Sequence, residues 1–122
     1  MLYNKRTLQK KQSLTKEGYP MTLTGKQKSF LRGKAHDLSP IIQVGKNSVN
    51  ENLIDTTIKA LDAKELIKIS VLQNCLNEPK EVADAIAQHA NATIVQVIGR
   101  TIILFKKSSR PANRLISTKI PK

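Results

Sequence analysis

The sequence predicts an α/β domain in which helices pack on a four-stranded mixed sheet, with elements in the order α-β-α-β-α-β-β. Apolar residues at helical spacing alternate along the chain with short β-branched runs, and the connections between these segments are short. The length of 122 residues fits one domain and leaves no room for a second core.

The first helix and strand are predicted between residues 25 and 44. Residues 24–27 (Thr-Gly-Lys-Gln) have the form of a capping box, and apolar residues follow at helical spacing, so we expect a helix over 25–35. Ser39-Pro40 then interrupts the pattern. The β-rich run at 41–44 is bounded by Gly45 and predicts a short first strand.

The second helix and strand follow at once. Ser48 and Glu51 have the spacing of another capping box, and the apolar residues after them form one helical stripe, which predicts a helix from Val49 to about Ala63. The run 66–72 then alternates apolar and polar residues over its centre. This alternation is typical of a strand with one covered face.

A third helix and a hairpin complete the domain. Asn77 is expected to cap the helix, with Pro79 in its first turn. Two β-branched runs, 93–98 and 101–106, are separated only by Gly99-Arg100. Glycine at the first central position favours a type II′ turn, so these runs are predicted to pair as a hairpin.

The two ends of the chain differ from this central part. Residues 1–20 and 108–122 are basic and show no apolar period, so both are predicted to be disordered extensions of a domain that covers residues 21–107.

Charge is distributed unevenly along the sequence. Lys and Arg number 21 against 9 acids, for a net charge of +12 and a pI near 10.1. The net charge is +4 over residues 1–20, +4 over 21–46, −3 over 47–98 and +7 over 99–122. An acidic middle between basic ends predicts one positive face and one neutral or acidic back, and a polyanion as the partner. The alternative is a generally basic protein with two flexible tails.

Several classes of function are disfavoured. No apolar run approaches the ~20 residues that span a bilayer and no signal peptide opens the chain, so we expect a cytoplasmic protein with no membrane partner. The single cysteine, Cys75, fits a reducing compartment. His36 and His89 have no metal-ligand partner at helical spacing, and phosphate-loop motifs for nucleotides are absent from the sequence. We therefore expect no enzyme activity, metal, cofactor or small-molecule substrate.

The type of nucleic-acid recognition is limited by the scarcity of aromatic residues. Aromatics are only 3% of the chain: Tyr3, Tyr19, Phe30 and Phe105. Base stacking cannot dominate, which favours phosphate and shape recognition of folded RNA. Residues 45–48 (Gly-Lys-Asn-Ser) lie between a strand and a capped helix, where backbone N–H groups and Lys46 could hold a phosphate. The same four residues are also an ordinary turn and helix cap.

The candidate RNA-binding residues come from the first helix, this loop and the last hairpin. They are Lys26, Lys28, Arg32, Lys34, Gly45, Lys46, Asn47, Ser48, Arg100, Lys106 and Lys107. The hairpin tip at Arg100 and the basic residues after the last strand are expected at opposite ends of that strand, so they cannot share one contact point. The basic tail beyond them could simply aid solubility.

Four segments carry a family resemblance: residues 23–32, 42–47, 65–69 and 95–105. In order and spacing they resemble the bacterial YhbY family, the stand-alone form of the CRM domain (chloroplast RNA splicing and ribosome maturation), over roughly residues 22–107. The resemblance implies a fold similar to the C-terminal domain of translation initiation factor three. It also implies a GxxG loop that contacts RNA, and association with precursors of the large ribosomal subunit.

The chain departs from the GxxG pattern at one position, because the second glycine is Ser48. Serine adopts a positive φ less easily than glycine but caps a helix better, so an altered loop shape is expected. The resulting hypothesis is a monomeric, non-catalytic protein that binds structured rRNA of the large-subunit precursor. The alternative is a structural ribosome-associated protein held mainly by its basic tails.

Overall fold

A computed structural model describes residues 23–121 of the chain. The predicted N-terminal extension, residues 1–20, lies outside them. The described part contains three α-helices and four strands: α1 (Gly25–Ala35), β1 (Ile42–Val44), α2 (Glu51–Lys64), β2 (Leu66–Val71), α3 (Pro79–Ala90), β3 (Thr93–Ile98) and β4 (Thr101–Phe105). Short 3₁₀ turns follow at Pro111–Asn113 and Ser117–Lys119. The predicted fold class and element order are confirmed.

The sheet is mixed, with strand order β1-β2-β4-β3. β1 runs parallel to β2, while β4 is antiparallel to both β2 and β3. The last residues of β1 and β2 and the β3–β4 turn therefore lie together. We name this the loop end (residues 45–50, 72–78 and 99–100). The opposite end, where β2 starts and β4 finishes, is named the latch end (residues 62–65 and 106–117).

Alternate residues of the strands are buried on opposite sides of the sheet. Ile67, Ile69 and Leu104 pack in the main core with α2 and α3, while Leu66 and Phe105 pack in a second core with α1. Because hydrophobic residues cover both faces, β2 and β4 read as nearly continuous apolar runs. The sheet therefore separates α1 from α2 and α3.

The capping box of α1 and the hairpin turn are as predicted. The Gln27 amide donates to Thr24 Oγ1 at 3.1 Å, and the Thr24 amide donates to Gln27 Oε1 at 3.0 Å. Gly99 has a φ of +56°, and Arg100 is not among the described residues with positive φ. This combination fits a type II′ turn.

The two other helix starts differ from the predicted ones. Asn50, not Ser48, caps α2: its side chain accepts from the Leu53 amide at 2.9 Å, and the helix begins at Glu51 instead of Val49. α3 is preceded by Glu78, whereas Asn77 accepts a hydrogen bond from Ser48. In both cases the predicted cap serves a contact between loops, which local sequence cannot reveal.

The C-terminal segment also differs from its prediction. Residues 108–121 were expected to be disordered, but residues 108–113 are bonded to Asp62 near the end of α2, and the chain then reaches the α1 side, where Ile116 and Ile120 pack against the second core. The Gln27 side chain donates to the Pro121 carbonyl at 3.0 Å, which ties the far end of the segment to α1.

A buried carboxylate holds this segment in place. Glu65 is fully buried and accepts hydrogen bonds from the amides of Ser108 (2.7 Å), Ile116 (3.0 Å) and Ser117 (2.9 Å) and from the Ser117 hydroxyl (2.7 Å). Burial, the largest influence, raises the pKa of Glu65, but these bonds together outweigh it and hold the pKa below its ordinary 4.5. The segment is held mainly by hydrogen bonds to an ionised carboxylate and by only a few apolar side chains. It therefore needs no apolar periodicity in its sequence.

Candidate nucleic-acid interface

The loop at residues 45–48 connects β1 to the start of α2. The Ser48 amide donates to the Gly45 carbonyl at 2.9 Å and closes a turn. The Leu72 amide donates to the Val44 carbonyl at 2.8 Å, which joins the loop to the segment after β2. Lys46 and Asn47 are exposed at the tip of the turn. The first amides of α2 follow Asn50, so the positive end of the helix dipole lies at the same end of the sheet as the exposed Lys46.

Ser48 retains the backbone geometry that glycine would provide. Its φ is +51°, in the left-handed region that favours glycine. The Ser48 hydroxyl donates to Asn77 Oδ1 at 2.7 Å, and Cys75 Sγ lies 3.7 Å from Ser48 Oγ. Bonds to the neighbouring loop thus hold the serine in a conformation that favours glycine, and the altered loop shape stays a prediction.

Arg100, predicted to contact RNA, has a clear structural role. Its Nε donates to the Val71 carbonyl at 2.8 Å and its Nη2 donates to the Leu72 carbonyl at 2.7 Å. The Val71 amide in turn donates to the Arg100 carbonyl at 2.8 Å. Arg100 thus ties the hairpin tip to the segment after β2, and so to the wall of the 45–48 loop.

The basic residues of α1 face outward on one side of the sheet. Lys26, Arg32 and Lys34 are exposed and Lys28 is half-buried, while Leu31 and Ala35 point into the second core. The Lys34 ammonium lies 5.6 Å from the ring centroid of Phe30, a cation–π distance. No acidic residue occurs within α1, so its outer surface is uniformly positive.

The opposite side of the sheet carries charges of both signs. The exposed acids of α2 and α3 outnumber their exposed lysines: Glu51, Asp55, Glu81 and Asp84 against Lys59, Lys64 and Lys80. The predicted positive face and acidic back therefore lie on opposite sides of the sheet, with α1 on the positive side.

Two polar residues on the α1 side were not among the predicted contacts. Lys68 alternates with the buried Ile67 and Ile69 in β2, so its side chain points toward the α1 side, and it is half-buried. Gln43 of the edge strand β1 pairs with Ser70, two residues after Lys68, and is exposed. The polar position within each strand is the signal in the sequence that could have indicated them.

A cleft of about 460 Å³ lies beside the loop. Its walls come from β1, the loop and the first turns of α2, and are rich in amide side chains: Gln43, Asn47, Asn50 and Asn52. These groups can donate and accept hydrogen bonds, as a sugar-phosphate backbone requires.

Lys106 and Lys107 lie at the latch end, roughly 20 Å from the loop along β2 at strand geometry. The Lys106 ammonium donates to the Ala90 carbonyl at 3.2 Å, at the C-terminus of α3. Lys107 borders a separate cavity of about 400 Å³ together with Lys59 and Arg110. These lysines lie at the other end of the last strand from Gly45 and Arg100. The hairpin tip and the basic residues after the strand are therefore apart, as predicted.

Within residues 23–121, none of the helices combines the length and apolar character needed to cross a bilayer.

The fold and the site define a small α/β module with one basic side and a backbone-amide loop at the start of a helix, suited to a polyanion. The family model described as the CRS1 / YhbY (CRM) domain matches residues 23–106, and the chain belongs to this family.

Relatives and a solved structure agree with this membership. Probable RNA-binding protein YqeI of Bacillus subtilis is 56% identical over 86 residues, which cover 70% of this chain and 90% of that protein. A protein of Haemophilus influenzae named RNA-binding protein is 36% identical over 87 residues, covering 71% and 88%. The solution structure of a hypothetical protein from Staphylococcus aureus, described as a candidate RNA-binding protein, superimposes with a TM-score of 0.66 at 39% identity. It covers 82% of this chain and 100% of that chain.

Proposed function

We propose that this protein binds structured RNA, and that its target is rRNA of the large-subunit precursor, whose assembly it assists in the cytoplasm without catalysis. RNA binding is supported by the CRM family membership and by relatives whose names describe RNA-binding proteins. The ribosomal target rests on the resemblance to the YhbY family described above. A small protein with net charge +12 would be attracted to rRNA from a distance.

The observation that carries the proposal is the separation of charge across the sheet. The α1 side presents Lys26, Arg32 and Lys34 together with Lys68, whereas on the α2 and α3 side the exposed acids slightly outnumber the exposed lysines. RNA is therefore expected to approach the α1 side of the sheet. We assign phosphate contacts to the α1 cations and, at the loop end of the sheet, to the loop at residues 45–48, where backbone amides and Lys46 precede the N-terminus of α2.

A structural ribosome-associated protein held by its tails is the second candidate. Arg110 favours it, because its side chain is 77% exposed despite an ion pair with Asp62 at 3.8 Å. Deleting residues 108–122 would not test this candidate cleanly, since deletion also removes Ile116 and leaves Glu65 buried without its donors. Neutralising Arg110 and Lys119 with glutamine leaves the contacts of Ile116 and Glu65 in place and removes charge together with the exposed ion pair of Arg110 with Asp62.

The two candidates are separated by the salt dependence of binding. Replacing Lys26, Arg32 and Lys46 with glutamine should weaken binding to large-subunit rRNA fragments. Each lost phosphate contact should reduce the slope of log K against log salt by up to about one. The measurement is a fluorescence-anisotropy titration at several salt concentrations.

A matched control removes the same charge from the other side of the sheet. Replacing Lys59, Lys64 and Lys80 with glutamine should leave the slope within error of the wild type, because these lysines lie among the acids of α2 and α3. Equal effects of the two triple variants would exclude a one-sided surface. Loss of binding only after neutralising Arg110 and Lys119 would favour the tail-held candidate.

The ribosomal target is tested in cells. Ultraviolet crosslinking followed by sequencing of the bound RNA should enrich large-subunit precursor rRNA over mature rRNA and messenger RNA. Enrichment of another RNA class would overturn the assignment to ribosome assembly while leaving RNA binding intact.

A further inference from the structure

The loop end carries exposed apolar side chains beside its polar groups. Leu76 is 87% exposed and Leu72 is 37% exposed, and both belong to the segment that joins β2 to α3. We name these two residues the apolar rim. A single exposed leucine is ordinary on a protein surface, so the position and rigidity of the rim decide what it means.

The rim lies against the 45–48 loop. Leu76 stands between Cys75 and Asn77, whose side chains both contact Ser48. Neighbouring Cα atoms are about 3.8 Å apart, so the backbone of Leu76 is one residue from each contact. Leu72 Cδ1 lies 3.6 Å from the position that a Cβ atom on Gly45 would occupy.

The segment that carries the rim is held rigidly. Arg100 donates to the Leu72 carbonyl at 2.7 Å, the Cys75 amide donates to the same carbonyl at 3.0 Å, and the Ser48 hydroxyl holds Asn77 at 2.7 Å. Leu76 is therefore presented to solvent by a fixed backbone. A pre-ordered apolar contact loses little conformational entropy when a ligand covers it.

We propose that the apolar rim packs against the base of an unpaired nucleotide whose phosphate lies at the 45–48 loop. This inference rests on the proposed RNA binding and adds a preference for RNA in which a helix adjoins unpaired nucleotides. Bases of a continuous duplex are stacked inside it and cannot reach Leu76, whereas an unpaired base can turn out of the strand. Lys46 and the start of α2 attract a polyanion to this position, which favours RNA over an apolar protein surface.

The test compares two RNA probes: a fully paired duplex, and the same duplex with an internal run of unpaired nucleotides. Leu76→Ser should reduce affinity for the interrupted duplex by about fivefold to tenfold, the scale expected for losing one apolar contact, and leave the continuous duplex unaffected. Leu76→Phe should increase affinity for the interrupted duplex, because an aromatic ring stacks better on a base. Neither variant should change the salt slope, since no phosphate contact is lost.

Leu115→Ser is the matched control. Leu115 is 70% exposed but lies at the latch end, next to Ile116, whose amide binds Glu65. This variant should bind both probes like the wild type. Circular dichroism melts should show all three variants folded, because each substitution is at a mostly exposed position.

The outcomes are distinguishable. Failure of the wild type to bind either RNA would overturn the proposed function itself. Binding by the wild type with equal affinities for Leu76→Ser and Leu115→Ser would overturn only the apolar rim. The rim inference would also fail if Leu76→Ser left both RNA affinities unchanged but reduced sedimentation with ribosomal particles, since the rim would then meet a protein.

Discussion

Each end of the sheet contains a residue other than glycine at positive φ, but the side-chain contacts of the two residues differ. At the loop end Ser48 has a φ of +51°, and at the latch end Glu65 has a φ of +65°, although neither is glycine. Ser48 is half-buried and donates one neutral hydrogen bond to Asn77. Glu65 is fully buried and accepts four hydrogen bonds from the C-terminal segment.

This difference explains what each end can do. Hydrogen bonds to an ionised group are stronger than neutral ones, and a buried carboxylate that loses its donors bears a high desolvation penalty. The latch end is therefore the more strongly bonded end, and it holds residues 108–121 against the end of α2 and the α1 side. The loop end is held by weaker, neutral bonds between loops, together with Arg100.

Removing the charge at the latch end should have the largest effect on stability. Glu65→Gln places an amide N–H₂ group against the amides of Ser108, Ile116 or Ser117, which leaves donors facing donors. We expect the free energy of unfolding to fall by about 3 kcal/mol, measured by urea denaturation at neutral pH. Trypsin should also cleave the C-terminal segment faster, because the segment is no longer held.

The control is an acid of the same type on the surface. Glu51→Gln changes the same charge at an exposed position in the first turn of α2 and should cost less than about 0.5 kcal/mol. If the two substitutions had similar effects, Glu65 would not be the residue that fixes the latch end.

Acid should loosen the latch end before the loop end, and the sign follows from the pKa of Glu65. Because that pKa is below 4.5 in the folded protein, the unfolded chain takes up the proton at higher pH than the folded one. The stabilisation is complete above pH 4.5 and is lost as the pH falls through the folded pKa. Hydrogen bonds from the amide and hydroxyl of Ser109 lower the pKa of Asp62 as well, so Asp62 adds to the loss.

The measurement is the free energy of unfolding as a function of pH. Glu65→Gln should give a flatter curve below pH 4.5 than the wild type, and Asp62→Asn in the same background should flatten it further. A Glu65→Gln curve as steep as the wild-type curve would show that other carboxylates cause the acid sensitivity.

The contrast between the two ends also shows what the sequence could and could not predict. Element order, the α1 capping box and the hairpin follow from periodicity and turn residues, which are local. Glu65 gives no such signal, because its partners lie 43 to 52 residues later in a segment without apolar period. For the same reason the sequence does not show that the Arg100 guanidinium reaches the carbonyls of Val71 and Leu72, and its RNA contact stays a prediction.

The candidate RNA-binding residues also divide into those whose position local sequence predicts and those whose position depends on the packing of the whole fold. That Lys26, Arg32 and Lys34 belong to one helix without acidic residues was predictable from the sequence. Their position on one side of the sheet follows from where α1 packs and not from their spacing, since residues two apart on a helix face different directions. That Lys68 joins them depends on which face of β2 meets α1, and this depends on the packing of the whole sheet. Binding itself remains a prediction for every residue of the set.

The smallest effect is expected at Ser48, where two substitutions separate the hydrogen bond from the backbone. Ser48→Ala loses the bond to Asn77 but keeps a Cβ atom at positive φ, so we expect a loss of about 1–2 kcal/mol in unfolding free energy. Ser48→Gly loses the same bond but relieves the φ penalty of roughly 1 kcal/mol, so its loss should be smaller. A double-mutant cycle with Asn77→Ala measures the bond alone, and its coupling energy should be about 1 kcal/mol. Equal losses of unfolding free energy for Ser48→Ala and Ser48→Gly would mean that the positive φ of Ser48 causes no backbone strain. Ser48 and Glu65 would then share a positive φ but not an energetic cost.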